Sequence, residues 1–210
     1  MEGFLGGLMA QTMTELEAIN ICLRAVGESP VTSVDSQNPY VIAASNIVDN
    51  ERKNLLAEGW WFNTQRGLTL TPDRNKFIFV PINTLAIDTN DRKGAIAVRK
   101  DKLIDLYNNT FEFENSITLD LVEDLEFTDL PFSAARTIAY VAAVEMQRAY
   151  EMEVNKLQSY EQQSRFAYME LKKLHMRNRN LNQLNSPQSM KLFGATTLSY
   201  GRRNPNLIGG

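Results

Sequence analysis

Apolar residues along this chain first recur at helical spacing, with Leu16, Ile19, Leu23 and Val26 on one face. Thr14-Glu15-Leu16-Glu17 just ahead of them reads as a capping box. The Thr14 hydroxyl serves one free amide and Glu17 returns to another. Gly27 suits a left-handed C-cap, and Pro30 stops any continuation. A second helix is predicted from Pro39 to about Glu58, with Asn38 as its cap and Pro39 in its first turn. Val41, Ala44, Ile47, Val48, Leu55 and Leu56 make its inner stripe, while Asp49, Glu51, Arg52 and Lys53 are expected to face water. The pair is read as an antiparallel helix hairpin over residues 14–59, joined by residues 27–38.

From Trp60 to Phe127 the texture changes to short runs of Ile, Val, Phe, Tyr and Thr between turn residues. Predicted strands are Trp60–Asn63, Leu68–Thr71, Phe77–Val80, Ala95–Arg99, Leu103–Tyr107, Thr110–Phe113 and Ile117–Val122. Asn108-Asn109 is a good hairpin turn, because Asn tolerates positive φ. Ile117-Thr118-Leu119-Asp120-Leu121 alternates cleanly, so one face is buried and one is wet. The expectation is a β-rich lobe over residues 60–127, folded as an antiparallel meander with acids outside. Of the adjacent Trp60 and Trp61, one is expected in the core; the other covers the sheet or a subunit contact.

Two long helices follow. The third begins near Asp129–Pro131 and ends near Tyr150; Ile138–Val144 is apolar all round, as in a helix packed on several sides. The fourth runs from about Glu153 to Asn178. Its Leu157, Tyr160, Ser164, Ala167, Leu171 and Leu174 form a heptad seam that should pack on the third helix. Phe166, Met169 and Met176 lie off that seam and are either a subunit interface or ordinary exposed residues. The fold class is thus α+β and mainly α. A bundle of about four helices (14–59 and 128–178) carries an inserted antiparallel β lobe. Residues 1–13 form an arm, and 179–210 an extended tail.

Composition adds constraints. The chain has 210 residues, 43% of them apolar, one Cys and one His, which supports a real core but no disulfide framework or Cys- or His-rich metal site. Cys22 falls near the first helix's apolar stripe and reads as a small buried hydrophobe suited to a reducing cytoplasm. The opening MEGFLGGLMAQ lacks a basic n-region and a clear cleavage site, so no signal peptide is expected. It is either an arm or a leader ahead of a start at Met13. No run is long enough to span a membrane.

Charge is uneven. Residues 171–210 carry seven bases and no acid; residues 1–170 carry 15 bases and 25 acids, a net −10. Residues 101–130 alone hold nine carboxylates against Lys102. A basic tail on an acidic body either docks on something acidic (a neighbouring subunit, another protein or nucleic acid) or is merely solvated. Lys191, Arg202 and Arg203 would supply charge to such a contact, and Leu192, Phe193 and Tyr200 would anchor it.

The search for chemistry returns little. There is no dinucleotide glycine fingerprint, no phosphate-binding loop and no His-Glu-x-x-His, so no catalytic residue, cofactor or metal is assigned. His175 sits among Lys172, Lys173 and Arg177, which disfavours its protonated form, and it reads as a surface histidine. A glycosidase needs only two carboxylates, and the acids of Asp120–Asp129 are the available pool. They alternate with apolar positions as a solvated sheet face does. Duplex DNA repels the acidic body, leaving only the tail as a nucleic-acid contact.

Several features in order resemble one family, the tail tubular protein A (head-to-tail adaptor) family of short-tailed bacteriophages. They are Glu15-Leu16-Glu17-Ala18-Ile19-Asn20 with Leu23, Gly27-Glu28-Ser29-Pro30-Val31, and Gly59-Trp60-Trp61-Phe62-Asn63. Then come Gly67-Leu68-Thr69-Leu70-Thr71-Pro72-Asp73, Ile117-Thr118-Leu119, and the acidic segment leading through Leu130-Pro131. The likeness covers about residues 14–175. It implies a structural virion protein: a dodecameric ring in the neck between portal and tail nozzle, with tail fibres nearby. Double-stranded DNA would pass through the lumen without sequence-specific binding. The protein would reside in the virion tail and, during assembly, in the host cytoplasm. The tail residues 191–193, 200, 202 and 203 would then dock on the portal or a ring neighbour. The alternative is a virion-associated peptidoglycan hydrolase using a carboxylate pair.

Overall fold

The structure is a computed structural model that describes residues 12–34, 37–89, 95–150 and 154–184. The chain divides into two compact units, Met1–Leu171 and Lys172–Gly210.

Helix α1 (Glu15–Ala25) starts where its capping chemistry requires. The Thr14 hydroxyl accepts from the Glu17 amide at 3.2 Å, and the Glu17 carboxylate accepts from the Thr14 amide at 2.7 Å. It ends in a Schellman turn: Glu28 N–H donates to the Leu23 carbonyl at 2.9 Å, around Gly27 at φ +83°. The Asn20 amide then pairs both backbone groups of Val31, at 2.8 and 2.9 Å, fixing the connector. Helix α2 (Pro39–Ala57) is capped by Asn38, whose side chain accepts from the Tyr40 amide. Helix α3 (Phe132–Ala149) packs against both α1 and α2. Its Ala134, Ala135, Ala139, Ala142 and Ala143 are fully buried and let the neighbouring helices close in. Gln147 Nε2 donates to the Ala25 carbonyl at 3.0 Å, tying α3 to the end of α1.

The strands form β1 (Thr64–Leu70), β2 (Thr84–Asp88), β3 (Ile96–Arg99), β4 (Lys102–Asp105) and β5 (Ile117–Glu123). They do not make a simple meander. β5 is the centre of a three-stranded antiparallel sheet ordered β1-β5-β2, while β3 and β4 form a separate hairpin. β1 bulges between Gln65 and Leu68, where Gly67 takes φ +65° and its N–H donates to the Asp120 carboxylate at 2.8 Å. As expected, Leu119 and Leu121 face inward while Thr118 is exposed.

Three strand expectations are corrected. Trp60–Asn63 is a turn, because the Asn63 side chain folds back to accept from the Trp60 amide at 2.8 Å. Asn63 Nδ2 in turn donates to the Leu56 and Glu123 carbonyls, both at 2.9 Å. Phe77–Val80 and Thr110–Phe113 join the neighbouring backbone only through isolated bridges, Phe77 to Glu112, Phe79 to Lys102 and Thr110 to Asp105. Strand β2 was missed because its residues are half-buried on both faces apart from Asp88, leaving no contrast to read.

The first unit contains two apolar clusters. One gathers α1, α2, α3, Trp60 and Leu171; the other gathers Ile78, Leu103, Phe113, Leu119 and Leu121 among the strands. A final helix, α4 (Val154–Leu184), carries the chain from the first unit into the second.

Candidate functional site

Within the first unit, the heptad seam is the side of α4 that turns inward. Ala167 and Leu171 are buried, and Leu157, Tyr160, Ser164 and Leu174 are half-buried. Several contacts with α3 fix the first-unit part of the helix. The Tyr160 ring lies 6.4 Å from that of Tyr140. Arg136 reaches Glu170 at 3.2 Å and Arg148 reaches Glu161 at 2.9 Å. Tyr168 meets Trp60 edge-on at 5.9 Å and donates its hydroxyl to Glu58 at 2.8 Å. Trp60 is thus the core tryptophan; its indole N–H donates to the Leu55 carbonyl at 2.7 Å. Trp61 is half-buried and packs edge-on against Phe62.

Away from the seam, α4 carries uncovered apolar residues among polar ones. Phe166 is 61% exposed and Met169 66% exposed. Met176, in the second unit, is also exposed, and His175 is half-buried rather than the surface residue expected. Burying a side chain such as Phe or Met is worth about 1.5–3 kcal/mol. Phe166 and Met169 stand three residues apart, so they are neighbours on the helix surface. Lys191, Leu192, Phe193, Tyr200, Arg202 and Arg203 lie outside the described residues.

A second uncovered apolar region was not expected. The Asp105 carboxylate, itself buried, accepts from the Tyr107 and Asn108 amides at 2.8 and 3.1 Å and from the Asn108 side chain at 3.0 Å. This knot shapes a tight turn, with Asn109 at φ +49°, that presents Tyr107 88% exposed beside Leu106. The signal available in the sequence was an Asp followed by Asn-Asn, a side chain able to gather free amides.

Arg52 was expected in water and is instead buried. It pairs with Asp49 on its own helix at 2.7 Å, and with Asp124 and the Leu125 carbonyl beyond β5. Burial opposes its charge, but the Asp49 hydrogen bond and the Asp124 charge outweigh burial and raise its pKa. The helix pattern placed Arg52 beside Asp49 on a polar face; it could not supply the carboxylate that arrives 72 residues later.

Two of the acids available for hydrolysis are committed to the fold in the same way. Asp124 holds Arg52, and Asp120 takes the Gly67 amide. Among the described residues no group of three or more His, Cys, Asp or Glu side chains is placed to hold a metal ion. Cys22 is fully buried, and burial pushes its thiol up to about 12, which makes it unreactive. No helix among the described residues is long and apolar enough to cross a membrane.

The model of one family, described as tail tubular protein, matches residues 16–181, from the first turn of α1 to near the end of α4. The chain belongs to the tail tubular protein family. A tail tubular protein A of Klebsiella phage KP34 is 38% identical over 127 residues, covering 60% of this chain and 68% of that protein. Tail tubular proteins are structural virion components, so the chain is a phage tail component and not an enzyme. It assembles into the tail with other tail proteins. The matched span includes the whole of the described core and the exposed Phe166, Met169 and Met176.

Proposed function

We propose that the chain is the subunit of a head-to-tail adaptor ring, joining the portal to the tail nozzle and lining part of the DNA ejection channel. The observation that carries this is the outer side of α4 within the tail tubular match: Phe166 and Met169 are exposed on a helix already anchored by its seam. A second copy would cover them, and Met176 would take part in the same kind of subunit contact. The ring would hold twelve copies, with tail fibres adjacent and assembly in the host cytoplasm, a reading supported by the family likeness. An acidic body suits a conduit wall, because few Lys and Arg contacts are offered to passing phosphates. The basic segment with Lys191, Leu192, Phe193, Tyr200, Arg202 and Arg203 would dock on the portal or on a ring neighbour.

Electron cryomicroscopy of the neck of intact particles tests the reading. The expected result is a closed ring of this chain between portal and nozzle, with Phe166 and Met169 covered. A particle neck lacking the chain, or holding it as an isolated subunit, would overturn it.

A further inference from the structure

A small cleft of about 130 Å³ opens between α2, α3 and α4. Leu55, Ile138, Val141 and the Tyr168 ring line it, and Glu51 and Glu58 bring carboxylates to the same space. Those carboxylates are poorly compensated. Glu51 accepts only a long bond, 3.4 Å, from Asn54, and Glu58 accepts from the neutral Tyr168 hydroxyl. Neither has an ion pair with Lys or Arg among the described residues. Burial and the nearby charge of Glu145 hold the Glu51 carboxyl above the usual range.

An apolar slot one side chain deep, with anions beside it, is shaped for a long aliphatic stem ending in a cation. Arginine fits best, since its guanidinium can bridge carboxylates in a plane. The chain carries such groups in a stretch without a single acid, residues 171–210, where Arg202 and Arg203 stand together. In a ring each subunit offers one patch to the neighbour ahead and a different patch to the neighbour behind. An acidic slot and a basic segment on one chain supply two such complementary patches.

We infer that this cleft receives Arg202 or Arg203 of a second copy of the chain, which makes it the socket for the C-terminal segment within the ring. The inference rests on the ring reading above. It is tested by supplying full-length variants to a phage whose own copy of the gene is disabled. Glu51→Lys with Glu58→Lys should lower the yield of infectious particles at least ~10-fold, because like charges facing each other across an interface are strongly disfavoured. Arg202→Glu with Arg203→Glu should do the same, and the four changes together should restore most of the yield. A double cysteine variant, Glu58→Cys with Arg203→Cys, should give a ladder of covalent multimers on mild oxidation of purified particles. A single intramolecular product, no cross-link, or charge reversals that do not rescue one another would overturn the socket. If the wild-type chain is itself missing from the neck, the ring reading fails; if it is present and the reversals do not rescue, only the socket fails.

Discussion

The helical cluster and the strand cluster of the first unit are assembled from contacts of different reach. α1 carries its own start and stop signals within a few residues, from Thr14 and Glu17 to Gly27. The sheet is built by return: β5 lies between β1 and β2, so Leu68 meets Leu119 and Ile87 meets Leu121 across long stretches of chain. The two regions are joined by Leu85 of β2, which packs on the helical cluster, and by polar side chains. Asn63 links the end of α2 to the end of β5, and Arg52 links the middle of α2 to the segment after β5. Apolar packing thus stabilises each region, and hydrogen-bonded side chains add to the joint between them.

Paired truncations probe this contrast most strongly. Leu56→Ala and Leu119→Ala each remove a fully buried leucine side chain, one from each cluster, and each should cost about 3–4 kcal/mol in denaturant unfolding. Hydrogen exchange should then separate them, with Leu119→Ala raising exchange in β1, β2 and β5 while α1 and α3 stay protected. Equal loosening of both regions would show that the clusters unfold as one. Arg52→Ala comes next, at about 3 kcal/mol, because it leaves Asp124 without its partner. It should raise exchange on both sides of the linkage, around α2 and at the end of β5. Thr14→Ala removes one cap and should cost about 1 kcal/mol, seen as faster exchange confined to the first turn of α1.

The smallest changes in stability should come from the surfaces assigned to assembly. Phe166→Ser with Met169→Ser should shift stability by no more than about 0.5 kcal/mol, yet reduce incorporation into particles. Glu51→Gln should act in the stabilising direction. The folded Glu51 has a pKa above its unfolded value, from burial and Glu145. Its favourable contribution is therefore present in acid and lost as pH rises through the folded value, so the carboxylate is a liability near neutrality. The melting temperature of Glu51→Gln should exceed that of the wild type by about 1–2 °C near neutral pH, with the difference vanishing in acid. A stabilised subunit that assembles less well would separate folding from docking at one residue.

What the sequence disclosed follows the same division. Both helix caps, the apolar alternation of β5 and the inward seam of α4 are encoded by neighbours a few residues apart, and each could be read directly. The order of the strands, the turn at Trp60–Asn63 and the buried Arg52 depend on groups brought together from distant positions. A periodicity cannot reveal a carboxylate that meets a helix from 72 residues away. Phe166 and Met169 were recognisable as residues outside the seam. The Glu51–Glu58 cleft was not, since its floor comes from α3 and its wall from Tyr168.

The burial of Cys22 has a practical side. It is the chain's sole thiol, fully enclosed and held almost wholly protonated at neutral pH. A maleimide dye added to the folded protein should leave it untouched, so a cysteine introduced at Met169 or Tyr107 becomes the single reactive handle without altering the native one. Distances between labelled copies could then be followed while the tail is being built.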